Sequence, residues 1–148
     1  MNLSKQEYST MAQNASPKSK TLKNCTLAFI VGGAICCFGQ LLTNIYISGG
    51  LEIKQARTLT SVTLIFLSGL FTALDLYYKL AKHAGAGTLV PITGFANSVV
   101  APAIEFKSEG YVLGLGAKIF TISGPVLVYG MAASVIYGLL YYVFVYMV

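Results

Sequence analysis

Long apolar blocks alternate with short polar ones along the whole chain. Cys25 to Ile47 reads as an unbroken helix of about 23 residues, roughly 35 Å, which is enough to cross a bilayer. Thr58 to Tyr77 predicts a second span and Pro125 to Val148 a third. A fourth apolar stretch, Val90 to Ile104, is only about 15 residues or roughly 22 Å, short of a hydrocarbon core of about 30 Å. It is entered through Gly85, Ala86 and Gly87, has Pro91 at its first turn and is expected to break at Pro102. Such punctuation predicts a non-helical entry followed by a broken, re-entrant helix. The expected fold is therefore an all-α integral membrane protein with three full transmembrane helices plus one glycine- and proline-broken, re-entrant helix. Residues 1–24 form a cytoplasmic basic tail, and residues 25–148 a single transmembrane domain.

Polar positions inside the blocks fall on faces. Gly33, Cys37, Gln40 and Asn44 share one side of the first span, and that side must meet another helix or water, because amides facing hydrocarbon are costly. Ser61, Ser68, Thr72 and Asp75 line the second span, with Lys79 placed four residues after Asp75 in the order that favours a helical ion pair. Gly94 and Asn97 share a small, polar face of the short helix, with Thr93 and Ser98 beside it. Gly130, Ser134 and Gly138 repeat every fourth residue in the last span, a ridge suited to close helix association within or between subunits. Tyr141, Tyr142 and Tyr146 fit an interfacial aromatic belt.

Composition agrees with a membrane setting. Of 148 residues, 55% are hydrophobic and only 10% charged, against roughly 25% charged in a typical soluble domain. The net charge of +5 comes from lysines lying between apolar blocks, a distribution suited to anionic lipid headgroups and not to nucleic acid. Lys5, Lys18, Lys20 and Lys23 face only Glu7 in the N-terminal tail, which places that end in the cytoplasm and leaves it solvated and partly disordered. The first apolar block lacks a small-residue cleavage signal and is expected to be retained. Ser48 to Arg57 and the glycine-rich Glu105 to Lys118 read as polar connections.

Catalytic chemistry has no visible foothold. Cys25, Cys36 and Cys37 show neither a disulfide framework nor zinc spacing, and His83 is alone. Gly114 and Gly116 lack the third glycine and the flanking strand of a dinucleotide fingerprint. No enzyme, cofactor or metal site is expected.

Four stretches together resemble the stage V sporulation protein AC family, of the SpoVA type with its AC and AE membrane subunits. They are VGGAICCFGQ at Val31–Gln40, TLIFLSGL at Thr63–Leu70, HAGAGTLVPITGFANSVVAPAIE at His83–Glu105 and SEGYVLGLGAKIF at Ser108–Phe120. The most specific part is GAGTLVPITGFANS. The resemblance implies a multi-pass subunit in the inner (forespore) membrane of spores, within an oligomeric complex that moves dipicolinic acid as its calcium chelate. It implies inward movement during sporulation and outward movement at germination, through a channel that responds to membrane tension. Implied partners are an AE-type membrane subunit and a soluble thiolase-like subunit that binds dipicolinate, besides membrane lipid. The family pattern often has an acid where this chain has Tyr78, and here the nearest acid is Asp75.

Dipicolinate is a rigid dianion, so its path needs hydroxyl and amide donors, backbone N–H groups or basic residues. Candidate path residues are Thr88, Thr93, Gly94, Asn97 and Ser98, with Lys79, Lys82 and Asp75 at the mouth. Gly33, Gln40, Asn44, Gly130, Ser134 and Gly138 are candidates for helix packing. The alternative is a non-conducting membrane scaffold that assembles the transport complex.

Overall fold

A computed structural model of the protein describes residues 4–15 and 20–146. Lys18 and the last two residues of the third expected span lie outside them. The helices are α1 (Lys5–Ala15), α2 (Thr21–Ser48), α3 (Ile53–Ala73), α4 (Leu76–Ala84), α5 (Ala86–Leu89), α6 (Ile92–Glu105) and α7 (Ala117–Tyr146). A 3-10 turn at Lys107–Glu109 and a π-helical turn at Tyr111–Gly116 join α6 to α7.

Three helices are long and apolar enough to cross a membrane: Thr21–Ser48, Ile53–Ala73 and the continuous stretch Tyr111–Val145. The number of candidate spans matches the three expected, with different boundaries. The connection expected at Ser48–Arg57 is shorter, because Lys54, Gln55, Ala56 and Arg57 are good helix formers and enter the first turn of α3. The expected end at Tyr77 is earlier, because Asp75 adopts the left-handed conformation (φ 58°, ψ 17°) and stops the helix at Ala73. Asp75 therefore leaves the face of Ser68 and Thr72, and the expected helical pairing with Lys79 has no continuous helix on which to form.

Both inner prolines sit within helices. Pro102 lies in α6, whose last turn continues to Glu105 with the Phe106 N–H donating to the Pro102 carbonyl at 3.0 Å. Pro125 lies in α7, whose start is displaced upstream because the Gly110–Gly116 stretch winds into a π turn. The Leu115 N–H reaches back to the Gly110 carbonyl at 2.9 Å, and a Cβ on Gly114 would crowd the Phe106 carbonyl and Glu109. Beyond this turn, Lys118 places its ammonium 4.5 Å from the centre of the Phe106 ring, tying the base of α7 to the end of α6.

The N-terminal tail, expected to be solvated and partly disordered, contains α1, which is exposed throughout its described side chains. Ser4 and Glu7 form a reciprocal cap: Ser4 N–H donates to Glu7 Oε2 at 2.9 Å, and Glu7 N–H donates to Ser4 Oγ at 3.3 Å. The Ser4 backbone N–H foremost, and the Ser4 hydroxyl donating to the same Oε2 at 2.9 Å, hold the Glu7 carboxyl below its ordinary pKa. A depressed folded-state pKa means the cap contributes at neutral pH and is lost as pH falls through the lowered Glu7 range. The helical carbon chemical shifts of α1 should accordingly collapse in that acidic window, and Glu7→Gln should abolish the transition.

The packing inverts that of a soluble core. Among the described residues, the buried polar side chains are the hydroxyls of Thr43, Thr60, Ser68, Thr88, Thr93 and Ser123, while large apolar residues such as Phe29, Phe66 and Tyr137 are exposed. Helices α2 and α3 run antiparallel: Thr43 meets Thr60 at 2.9 Å between hydroxyls, and a Cβ on Gly39 would touch Leu64. The most extensive helix contact is between α3 and α6. No residue from Thr93 to Ala103 is exposed, so the short helix is the enclosed one. By contrast, every residue of α7 from Pro125 to Val145 is exposed.

Candidate functional site

Entry into the central segment depends on two glycines. Gly85 takes φ 50°, ψ −122°, a conformation that L side chains rarely adopt, and turns the chain out of α4. Instead of the wholly non-helical entry expected, one helical turn follows at Ala86–Leu89. Gly87 in that turn lies directly on α2, where a Cβ would overlap the Ala28 backbone. A Cβ on Gly32, one turn along α2, would approach the Gly87 carbonyl at 3.2 Å. Backbone thus meets backbone at a crossing that only small residues allow.

At the break between α5 and α6 Pro91 is extended (φ −65°, ψ 161°), which carries the Ile92 N–H away from the Thr88 carbonyl it would meet in a continuous helix. Tyr77, projecting from α4, takes that role: its hydroxyl donates to the Thr88 carbonyl at 2.7 Å and lies 3.2 Å from the Thr93 hydroxyl. From α3, the Ser68 hydroxyl donates to the Thr93 carbonyl at 2.6 Å. Ser68, Tyr77, Thr88 and Thr93 are all buried, so α3 and α4 are both pinned to the α5–α6 break by bonds shielded from solvent. Gly94 completes the corner, since a Cβ there would collide with the Thr88 and Leu89 carbonyls.

One turn further, Thr72 Oγ1 lies 2.7 Å from the Ser68 carbonyl and 2.9 Å from the Asn97 side-chain amide. The Ser68 carbonyl and Asn97 Oδ1 both accept, so the single Thr72 proton is shared between them and links α3 to α6 through Asn97. The Ser98 hydroxyl turns back to the Phe95 carbonyl of its own helix at 2.7 Å. Among the described residues no buried side-chain nitrogen or oxygen lacks a partner.

Above this cluster a groove of about 540 Å³ opens between α2, α3 and α4. Its walls are apolar, including Val31, Ile35, Leu64 and Leu80, and its polar floor is Ser68, Tyr77 and Thr93.

The structure brings Thr88, Thr93, Gly94 and Asn97 together around the break. It leaves Asp75, Lys79 and Lys82 exposed on or beside α4, away from the floor. Gly33, Gln40 and Asn44 are exposed on α2, as are Gly130, Ser134 and Gly138 on α7. Tyr77 and the Ala28–Gly32 pair are functional positions that the sequence pattern does not single out. The available signal for Tyr77 was its place as an aromatic on the side of an amphipathic segment away from Lys79 and Lys82.

A body with hydroxyls inside, large apolar side chains outside and three helices long enough to cross a bilayer defines a multi-pass membrane protein. The chain belongs to the SpoVAC/SpoVAEB sporulation membrane protein family, whose pattern matches residues 24–140. That is a family of sporulation membrane proteins, not of enzymes. The chain is 42% identical over 141 residues to Stage V sporulation protein AC of Bacillus subtilis (strain 168), across 95% of this chain and 94% of that protein. No solved structure matches it.

Proposed function

We propose that this chain is a channel subunit of the SpoVA complex in the spore inner membrane, passing dipicolinic acid as its calcium chelate inward during sporulation and outward at germination. In this reading α6 is a re-entrant helix whose break, with Thr88, Thr93, Gly94, Asn97 and Ser98, forms part of the path, and Lys79, Lys82 and Asp75 stand at its mouth. The carrying observation is a 14-residue helix rich in hydroxyl and amide groups, enclosed where lipid-facing irregular backbone is not tolerated. Because the buried donors are all engaged within the chain, the described conformation corresponds to a closed state. Membrane tension then opens the path by drawing the α5–α6 break away from α3 and α4. An AE-type membrane subunit and a soluble thiolase-like dipicolinate-binding subunit are the proposed partners.

Spores carrying Asn97→Leu, with assembly verified, should take up and release dipicolinate several-fold more slowly than wild type. Unchanged transport would remove Asn97 from the path.

One observation favours a second reading, a scaffold that assembles the complex without conducting. The ridge Gly130, Ser134 and Gly138 lies on the part of α7 that has no cover among the described residues, and a Cβ on either glycine meets open space there. Gly138→Leu should then abolish co-purification of partner subunits, whereas normal assembly with lost transport would return the weight to a channel.

A further inference from the structure

Helix α2 carries two distinct faces. Ala28, Gly32, Gly39 and Thr43 look toward α5 and α3, while Gly33, Cys37, Gln40 and Asn44 lie roughly 120° around the helix at 100° per residue. All four of the latter are exposed, and a Cβ on Gly33 would meet nothing within 4 Å. The Gln40 amide donates to Asn44 Oδ1 at 2.8 Å. That bond leaves Gln40 Oε1, its second N–H and both Asn44 N–H groups to be satisfied. Helix α2 is 28 residues, about 42 Å, so a hydrocarbon core of about 30 Å centred on it takes in Gln40 and ends near Asn44.

We propose that this face of α2 is a self-association surface, where two copies of the chain pair α2 against α2 through Gln40 and Asn44. The inference rests on α2 crossing the membrane, and it is independent of what the complex transports. An amide is donor and acceptor at once, so identical amides complement each other, which identical charges do not. Two copies inserted in the same orientation bring these amides to the same depth by symmetry, a match that an unrelated helix meets only by coincidence. Gly33 and Cys37, two turns and one turn before Gln40, let the backbones approach closely.

Cys37 sits in the proposed seam and is a free thiol, as are Cys25 and Cys36. Cys36 points about 100° away, so it serves as a control on the same helix. Full-length chains retaining only Cys37 or only Cys36 would be reconstituted in lipid vesicles at low protein density and oxidised with copper phenanthroline. The Cys37 chain should form disulfide-linked dimers at least about tenfold faster than the Cys36 chain, since a disulfide requires Cα atoms within about 7 Å. Replacing Gln40 and Asn44 by leucine in the Cys37 chain should slow that reaction several-fold. Both substituted side chains are exposed, and a thermal unfolding midpoint measured alongside keeps assembly and folding separate. Equal rates for the two thiols, an unaltered rate in the leucine variant, or rapid labelling of Cys37 by a charged thiol reagent, which marks a water-lined face, would each overturn the proposal.

Discussion

Gly87→Ala is expected to destabilise the protein by about 2 kcal/mol, and to do so although alanine is the better helix former by roughly 1 kcal/mol. The reason is the partner. The added methyl would overlap the Ala28 backbone, which has no rotamer through which to retreat, so α5 must shift away from α2. That shift also carries Thr88 away from Tyr77. Gly124→Ala in α7 provides the comparison, because its nearest neighbour, Phe120 Cβ, lies 3.8 Å from the added atom, an ordinary contact. It should be neutral or slightly stabilising. Thermal midpoints of both variants in the same detergent decide the matter, and equal midpoints would mean that the α2–α5 crossing is not tight.

Tyr77→Phe is the second substitution with a large expected effect, and it bears on gating. Removing the hydroxyl leaves the buried Thr88 carbonyl short of a partner, at about 1–3 kcal/mol. If opening draws the α5–α6 break away from α4, that bond is already broken in the open state, so the loss falls on the closed state alone. A change of about 1.4 kcal/mol shifts an equilibrium tenfold, so release should begin at distinctly lower osmotic tension. Ser68→Ala removes the hydrogen bond to the Thr93 carbonyl and should act in the same direction. Because the two bonds converge on one break, the double variant should fall short of the summed effects by about 0.5 kcal/mol or more. Lower stability with an unchanged tension threshold would assign both hydroxyls to folding only.

Much of this architecture was legible in apolar run length. The three spans stand out because roughly 20 apolar residues have few alternatives to a membrane helix. The short central helix was legible too, since Gly85–Gly87 and Pro91 set a run of only fourteen helical residues apart from the long apolar blocks. What escaped the pattern is local backbone geometry. The stop at Asp75 rests on a left-handed conformation that aspartate tolerates without advertising it, as glycine would. The π turn at Tyr111–Gly116 looked like a glycine-rich connection, because its hydrogen bonds depend on Gly114 meeting Phe106, a contact invisible to periodicity.

At the candidate site, Thr88, Thr93, Gly94 and Asn97 were legible as polar or small positions in an apolar block. Their partners were not. Tyr77 lies 11 residues from Thr88, and Ser68 lies 25 from Thr93, distances set by the turns at Asp75 and Gly85 and not by any helical repeat. The same dependence explains why Lys79 and Lys82, adjacent in sequence to the central segment, end on the exposed side of α4.

We propose that the buried break between α5 and α6 belongs to a conducting path. Vesicles loaded with calcium dipicolinate and carrying this chain, alone and with its partner subunits, test it most directly when release is followed under stepped osmotic tension. Release should depend on tension, with Asn97→Leu slowing it and Tyr77→Phe bringing it on at lower tension. Vesicles that retain their dipicolinate at every tension short of lysis, with the partner subunits assembled, would contradict it.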